Sequence, residues 1–111
     1  QAEKPMVAGL YINRLKKGML LQADPTVKFS LQEFGLKRIL FKHLEVDSPY
    51  NTYKYKGLPP TPICNPSLLS IQAALAPTKT SYYYYALDPS TGEHHFSKTY
   101  QEHLNFLNSI K

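Results

Sequence analysis

Nine polar side chains gather around two short stretches of this sequence. Asn13, Gln22, Asp24 and Thr26 belong to the first, and Tyr50, Asn51, Thr52, Tyr53 and Asn65 to the second. Amides and hydroxyls beside aromatic rings suit a neutral polyol such as a sugar. The polar groups read hydroxyl and acetamido substituents, while a ring covers an apolar sugar face. Taken singly, each residue has a structural role that is commoner: Asp24 and Asn65 as helix caps, Asn51 as a turn residue. Gln22 is the hardest to explain that way, because it lies outside the predicted helices and is not needed as a cap.

Other chemistries find less support. His43, His94, His95 and His103 could suggest a metal, but His94 and His95 are adjacent. On a strand they face opposite ways, and no compact carboxylate or cysteine set accompanies them. The run Tyr82–Tyr85 could form a stacking platform, yet on a strand Tyr82 and Tyr84 share one face and Tyr83 and Tyr85 the other. A core strand packed on two helices explains the run at least as well. The single cysteine, Cys64, allows no internal disulfide and is expected to be a small buried apolar residue. No phosphate-binding glycine loop, nucleophile elbow or zinc motif is present. The net charge of +5 favours acidic partners, but the basic residues are scattered rather than concentrated in a groove. A nucleic-acid partner is therefore not expected.

The elements that must position these residues can be read in order. Met6, Val7, Leu10, Tyr11 and Leu15 recur at helical spacing between Glu3 and Lys17, with Gly18 as a stop signal. Met19–Ala23 is short and apolar, a strand or extended link. Asp24 followed by Pro25 predicts a capped helix through Val27, Phe29 and Leu31 toward Phe34 and Gly35. Leu36–Val46 is ambiguous, with its first half read as strand. Ser48–Pro66 carries five prolines and three tyrosines and is predicted to be an ordered loop forming the wall of a cleft. Asn65 and Pro66 predict a cap for a helix through Leu69, Ile71, Ala74 and Leu75, ending before Pro77. Ser81–Leu87 and Glu93–Lys98 read as a hairpin around the turn residues of Asp88–Gly92. Thr99 and Glu102 form a capping-box pair for a last helix, with Tyr100, Leu104, Leu107 and Ile110 as its apolar stripe. The sum is an α+β chain of about four helices with a small antiparallel sheet that includes a C-terminal hairpin.

Four stretches are specific beyond such patterns: AGLYINRLKKGMLLQADPTVKF, SPYNTYKYKGLPPTPICNP, SIQAALAP and HHFSKTYQEH. In this order they closely resemble successive motifs of the YceG-like endolytic murein transglycosylases, the MltG family, and the resemblance covers nearly the whole chain. Two departures are visible. Thr61 stands where the family commonly has glycine in GLPPGPI, and Ser67 replaces the glycine of NPG. The family's catalytic glutamate lies upstream of the INRL helix, and Glu3 matches a later, non-catalytic acidic position.

The resemblance implies that residues 1–111 form a single, partial catalytic domain whose general-acid glutamate lies upstream of Gln1, so that the fragment alone is expected to be inactive. It implies a lyase of the cell wall that cleaves peptidoglycan strands between N-acetylmuramic acid and N-acetylglucosamine to give 1,6-anhydro ends. It points to Gln22, Asp24, Tyr50 and Asn51, and then Thr52, Tyr53 and Asn13, as substrate-binding residues. No metal or organic cofactor is expected. The implied setting is a single-pass inner-membrane protein whose catalytic part lies in the periplasm or outside the membrane, beside wall-synthesis enzymes. A noncatalytic peptidoglycan-binding module and a muramidase-type hydrolase using Asp24 as a second carboxylate are the alternatives.

Overall fold

The computed structural model describes residues 3–32 and 39–110. Its elements run α1 (Glu3–Lys17), α2 (Asp24–Leu31), a 3₁₀ helix (Phe41–Glu45), α3 (Leu68–Leu75), β1 (Tyr84–Asp88), β2 (Glu93–Ser97) and α4 (Tyr100–Ser109). This is the expected α+β composition, with four α-helices and a two-stranded antiparallel sheet among the described residues. The chain divides into two compact units, one of Arg14–Asn65 and the other of Gln1–Asn13 with Pro66–Lys111.

In the unit holding both termini, the hairpin pairs Tyr84 with Ser97 through to Asp88 with Glu93. Alternation sends the side chains of β1 and β2 to two faces. On one, Tyr84 stacks on His103 at 5.3 Å and His95 on Phe106 at 4.1 Å, which attaches α4. On the other, the Tyr85 hydroxyl meets that of Tyr11 on α1 at 3.0 Å, and His94 meets Glu3. The adjacent histidines thus do face opposite ways. The tyrosine alternation does not extend to Tyr82, which packs on Phe96, the neighbour of Tyr85, at 5.7 Å. The reason is that β1 begins only at Tyr84. Before it, the Asn13 amide donates to the carbonyls of Thr80 and Tyr82, both at 2.9 Å, and Tyr83 N–H still reaches the Ser97 carbonyl at 3.0 Å.

Gly9 lies where α1 approaches the segment before the sheet. A Cβ there would sit 2.0 Å from the Thr78 carbonyl oxygen, and Thr78 N–H donates to the Pro5 carbonyl at 3.0 Å. Only hydrogen fits at this position. The capping box of α4 is present as expected, with Thr99 accepting from the Glu102 N–H and Glu102 from the Thr99 N–H. The cap of α3 is a correction. It is Ser67, which accepts from the Ser70 N–H, rather than Asn65, because α3 starts at Leu68, two residues beyond Pro66.

In the unit of Arg14–Asn65, α1 ends as expected at Gly18, whose φ of 76° suits glycine. Gly18 N–H returns to the Leu15 carbonyl and Met19 N–H to that of Arg14, the two bonds of a Schellman stop. Arg14 is buried and donates from Nη1 to the Leu20 carbonyl at 2.7 Å, which fixes the link that follows. That link pairs in no strand; Leu21 within it and Val27 on α2 are buried. After α2 comes a stretch whose expected strand is not found in its described part. Residues 41–45 form the 3₁₀ helix instead, because His43 Nδ1 accepts the Leu40 N–H and closes a turn there. Phe34, Gly35 and Leu36–Arg38 lie outside the described residues.

Candidate functional site

The unit of Arg14–Asn65 is organised by two threonine hydroxyls. Thr26 Oγ1 donates to the Ala23 carbonyl at 2.6 Å and lies 2.8 Å from Thr52 Oγ1, so the single Thr52 proton points to Thr26. Thr52 Oγ1 in turn accepts from the Ala23 N–H at 2.9 Å, and Thr26 Oγ1 from the Thr52 N–H at 3.3 Å. Gln22 N–H reaches the Thr52 carbonyl at 3.2 Å. The start of α2 is thereby joined to the proline-rich loop through two buried hydroxyls. Thr52 is 2% exposed.

This network corrects the expectation for Asp24. The residue before α2 is Ala23, it carries no side-chain cap, and the Thr52 hydroxyl satisfies its N–H. The Asp24 carboxylate is left for another use, and Oδ1 accepts a 2.6 Å hydrogen bond from the Tyr53 hydroxyl. Asp24 and Tyr53 line a cavity of about 320 Å³ with Ile39, Leu40, Phe41 and Leu44. One wall is polar and the other apolar. The apolar residues went unnoticed in the sequence because Ile39 and Phe41 alternate like a buried strand; no pattern there signals that they line a cavity.

The other anticipated residues divide between this cavity and the scaffold beneath it. Asn51 is 0% exposed, and its Nδ2 donates to the carbonyls of Leu44 and Val46 at 2.9 and 2.8 Å. Its Oδ1 accepts from the Tyr53 N–H at 2.9 Å. Both amide protons are committed, so Asn51 positions the 3₁₀ helix and Tyr53. Tyr50 rests on Phe29, with ring centroids 4.8 Å apart, and its hydroxyl pairs with Thr61 at 2.8 Å. Gln22 is exposed and has a φ of 52°, a conformation that a non-glycine residue keeps only where surrounding contacts hold it. Asn13 belongs to the other unit, and both of its amide protons go to the carbonyls already described.

Cys64 is exposed, which corrects the expectation of burial. It sits in a proline-rich segment without helix or strand, where little surrounds it. Tyr55 donates to Asp47 Oδ1 at 2.6 Å, and this bond to a carboxylate raises the pKa of the phenol above its ordinary value. No group of three or more histidine, cysteine or acidic residues that could hold a metal occurs among the described residues.

Residues 1–109 match the YceG-like family. The chain belongs to that family. Over 103 residues this YceG-like chain is 50% identical to the endolytic murein transglycosylase of Bacillus subtilis (strain 168), a match that takes in 93% of this chain and 28% of that protein. Over 105 residues it is 30% identical to the endolytic murein transglycosylase of Streptococcus pneumoniae serotype 2, covering 91% of this chain and 19% of that one. The 2.6 Å crystal structure of a YceG-like protein from Listeria monocytogenes superposes with a TM-score of 0.88 at 49% identity, over 92% of this chain and 33% of the other. The YceG-like chain therefore spans a third or less of each of these relatives.

The two departures from the family motifs leave the backbone unstrained. Ser67 has a φ of −69°, and Thr61 is not among the described residues with positive φ. Each supplies a hydroxyl that glycine would lack: Ser67 caps α3, and Thr61 holds Tyr50.

Proposed function

We propose that this YceG-like chain is the glycan-binding part of the catalytic domain of a lytic transglycosylase, one that cleaves peptidoglycan strands internally between N-acetylmuramic acid and N-acetylglucosamine. The observation that carries the reading is 50% identity, over 93% of the chain, to an endolytic murein transglycosylase. The Asp24–Tyr53 cavity suits it, since a carboxylate and a phenol facing an apolar wall can hold a sugar ring by its edge and its face.

In the proposed reaction a glutamic acid outside these 111 residues protonates the leaving glycosidic oxygen. The C6 hydroxyl of the muramic residue attacks its own anomeric carbon, the glycosidic bond breaks, and the same glutamate takes the hydroxyl proton. A 1,6-anhydro end results. No second carboxylate is needed as nucleophile, unlike most glycosidases. The part of this chain is to bind and orient: Asp24 Oδ2 is available to accept from a sugar hydroxyl or amide, while Tyr53 fixes Oδ1. Asn51 and Thr52 keep that pair in place from below, Tyr50 braces the loop, and Gln22 presents its amide to solvent. Asn13 takes part only by fixing its own segment. The proposal extends to a protein anchored in the inner membrane with this part outside it, working beside wall-synthesis enzymes; no helix among the described residues is long and apolar enough to cross a membrane.

The test is to digest purified glycan strands with the complete protein and determine the new ends by mass spectrometry. Anhydro-muramic ends are expected. Reducing ends would reject the transglycosylase reading in favour of hydrolysis.

A further inference from the structure

Phe41 is 90% exposed, yet the short helix that carries it is firmly held. At its start His43 Nδ1 accepts the Leu40 N–H, and the His43 N–H returns to the Leu40 carbonyl, both at 2.9 Å. At its end the buried Asn51 amide grips the carbonyls of Leu44 and Val46. The backbone around Phe41 is thus fixed from both sides while its ring stands in solvent. Leu40 is also exposed, and both residues line the cavity that Asp24 and Tyr53 share. An aromatic ring held out in this way contributes nothing to the core of its unit. It is placed to meet something that enters the cavity.

We infer that Phe41 is the platform on which a sugar ring stacks, with the Asp24–Tyr53 pair taking the polar edge of the same ring; this rests on the glycan reading proposed above. The chemistry favours a pyranose over the other occupants of such a pocket. A pyranose has an apolar C–H face for Phe41 and Leu40, together with hydroxyl and acetamido N–H donors for the carboxylate. An organic ammonium would also suit a ring and a carboxylate. The chain, however, carries a net charge of +5, and among the described residues Asp24 is the one carboxylate lining this cavity, with an oxygen already bonded to Tyr53. A positive net charge disfavours the approach of a cation and leaves that of a neutral ligand unaffected. At about 320 Å³ the cavity lies near the lower end of the ligand-pocket range of about 300–1,000 Å³, which suits one sugar ring with its substituents better than a long segment.

The experiment titrates the complete protein, followed by amide NMR, with a peptide-free tetrasaccharide of alternating N-acetylglucosamine and N-acetylmuramic acid. The variants are Phe41→Ala and Phe41→Tyr, neither of which removes a buried group. Saturable shifts around residues 39–44 and Tyr53 are expected, with affinity about ten-fold weaker in Phe41→Ala, a loss typical of one aromatic contact, and restored in Phe41→Tyr. Equal affinity in Phe41→Ala would overturn the inference while leaving the glycan reading intact. No saccharide binding at all would overturn it together with the binding role given to this unit. Stronger perturbation of the same residues by tetramethylammonium would assign the pocket to a cation, and concentration-dependent shifts lost in Phe41→Ala without saccharide would assign it to a second copy; either outcome overturns it. Because no cleavage is measured, anhydro ends from the complete protein bear on the reaction and not on this platform.

Discussion

Replacing Thr52 by valine nearly preserves its volume and deletes one oxygen. The consequence follows from the proton positions that the hydroxyl network imposes. The Ala23 N–H loses its acceptor, and Thr26 Oγ1 loses the donor 2.8 Å away. A protein hydrogen bond nets about 1 kcal/mol, but a buried donor left without a partner costs about 1–3 kcal/mol. The expected destabilisation is about 2–4 kcal/mol. Thr52→Ser keeps the oxygen and forfeits one methyl, near 0.8 kcal/mol. Urea unfolding followed by circular dichroism gives the totals, and amide exchange at Ala23 localises the loss. Its rate should rise by roughly 30-fold or more in Thr52→Val, following the lost free energy. A Thr52→Val chain within about 0.5 kcal/mol of the parent would refute the network, because a neutral change is what surface substitutions give. Equal losses in Thr52→Ser and Thr52→Val would refute it too, by showing that packing and not the oxygen matters.

Gly9→Ala should destabilise by about 1–3 kcal/mol in thermal or urea unfolding, since its Cβ would meet the Thr78 oxygen at 2.0 Å and one backbone must move; an unchanged midpoint would contradict the close approach. The Glu3 carboxyl is held below its ordinary value of 4.5 first by the hydrogen bond with the His94 side chain and then by the His94 N–H. A depressed folded value makes the contribution complete above about pH 4.5 and lost as pH falls through the lower folded value, so Glu3→Gln should flatten that part of the acid unfolding profile, and parallel profiles would contradict it. Thr99→Ala should cost about 1 kcal/mol through the lost cap, with fraying of the first turn of α4 visible in amide exchange. In the complete protein Asp24→Asn should raise KM more than it lowers kcat in glycan-strand digestion; a fall in kcat of about 100-fold or more at unchanged KM would make Asp24 a proton-transfer group instead.

What could be read in the sequence was local and periodic. The end of α1 at Gly18, the Thr99–Glu102 capping box and the C-terminal hairpin each depend on residues within a few positions of one another, and each is found. The misread features depend on partners far along the chain. Asp24 and Pro25 carry the signature of a capped helix start, but the N–H at that end is satisfied by Thr52, twenty-nine residues away. Asn65 and Pro66 carry the same signature and fail because Ser67 stands nearer the true start. Tyr82 fits the alternation of its neighbours until Asn13 takes its carbonyl. The set of candidate polar residues was visible, but its division into cavity-lining and supporting groups was not, because an exposed Asp24 and a fully buried Asn51 look alike as residue types.

That division bears on the choice between a transglycosylase and a hydrolase. A hydrolase of the two-carboxylate kind needs an acid and a second carboxylate to activate water or attack the sugar. Among the described residues Asp24 is the one carboxylate that lines this cavity, and the Tyr53 proton already occupies one of its oxygens at 2.6 Å. As a base Asp24 would have Oδ2 to work with, since the Tyr53 proton holds Oδ1. As a hydrogen-bond acceptor for sugar it loses nothing, because Tyr53 holds Oδ1 and thereby aims Oδ2. The support beneath the pair favours the second use. Asn51 Oδ1 fixes the Tyr53 backbone, and Thr52 fixes the residue before Asp24, so both members of the pair are tied to one rigid loop. Groups held this firmly lower the entropy lost on binding, which is what a glycan-positioning surface requires.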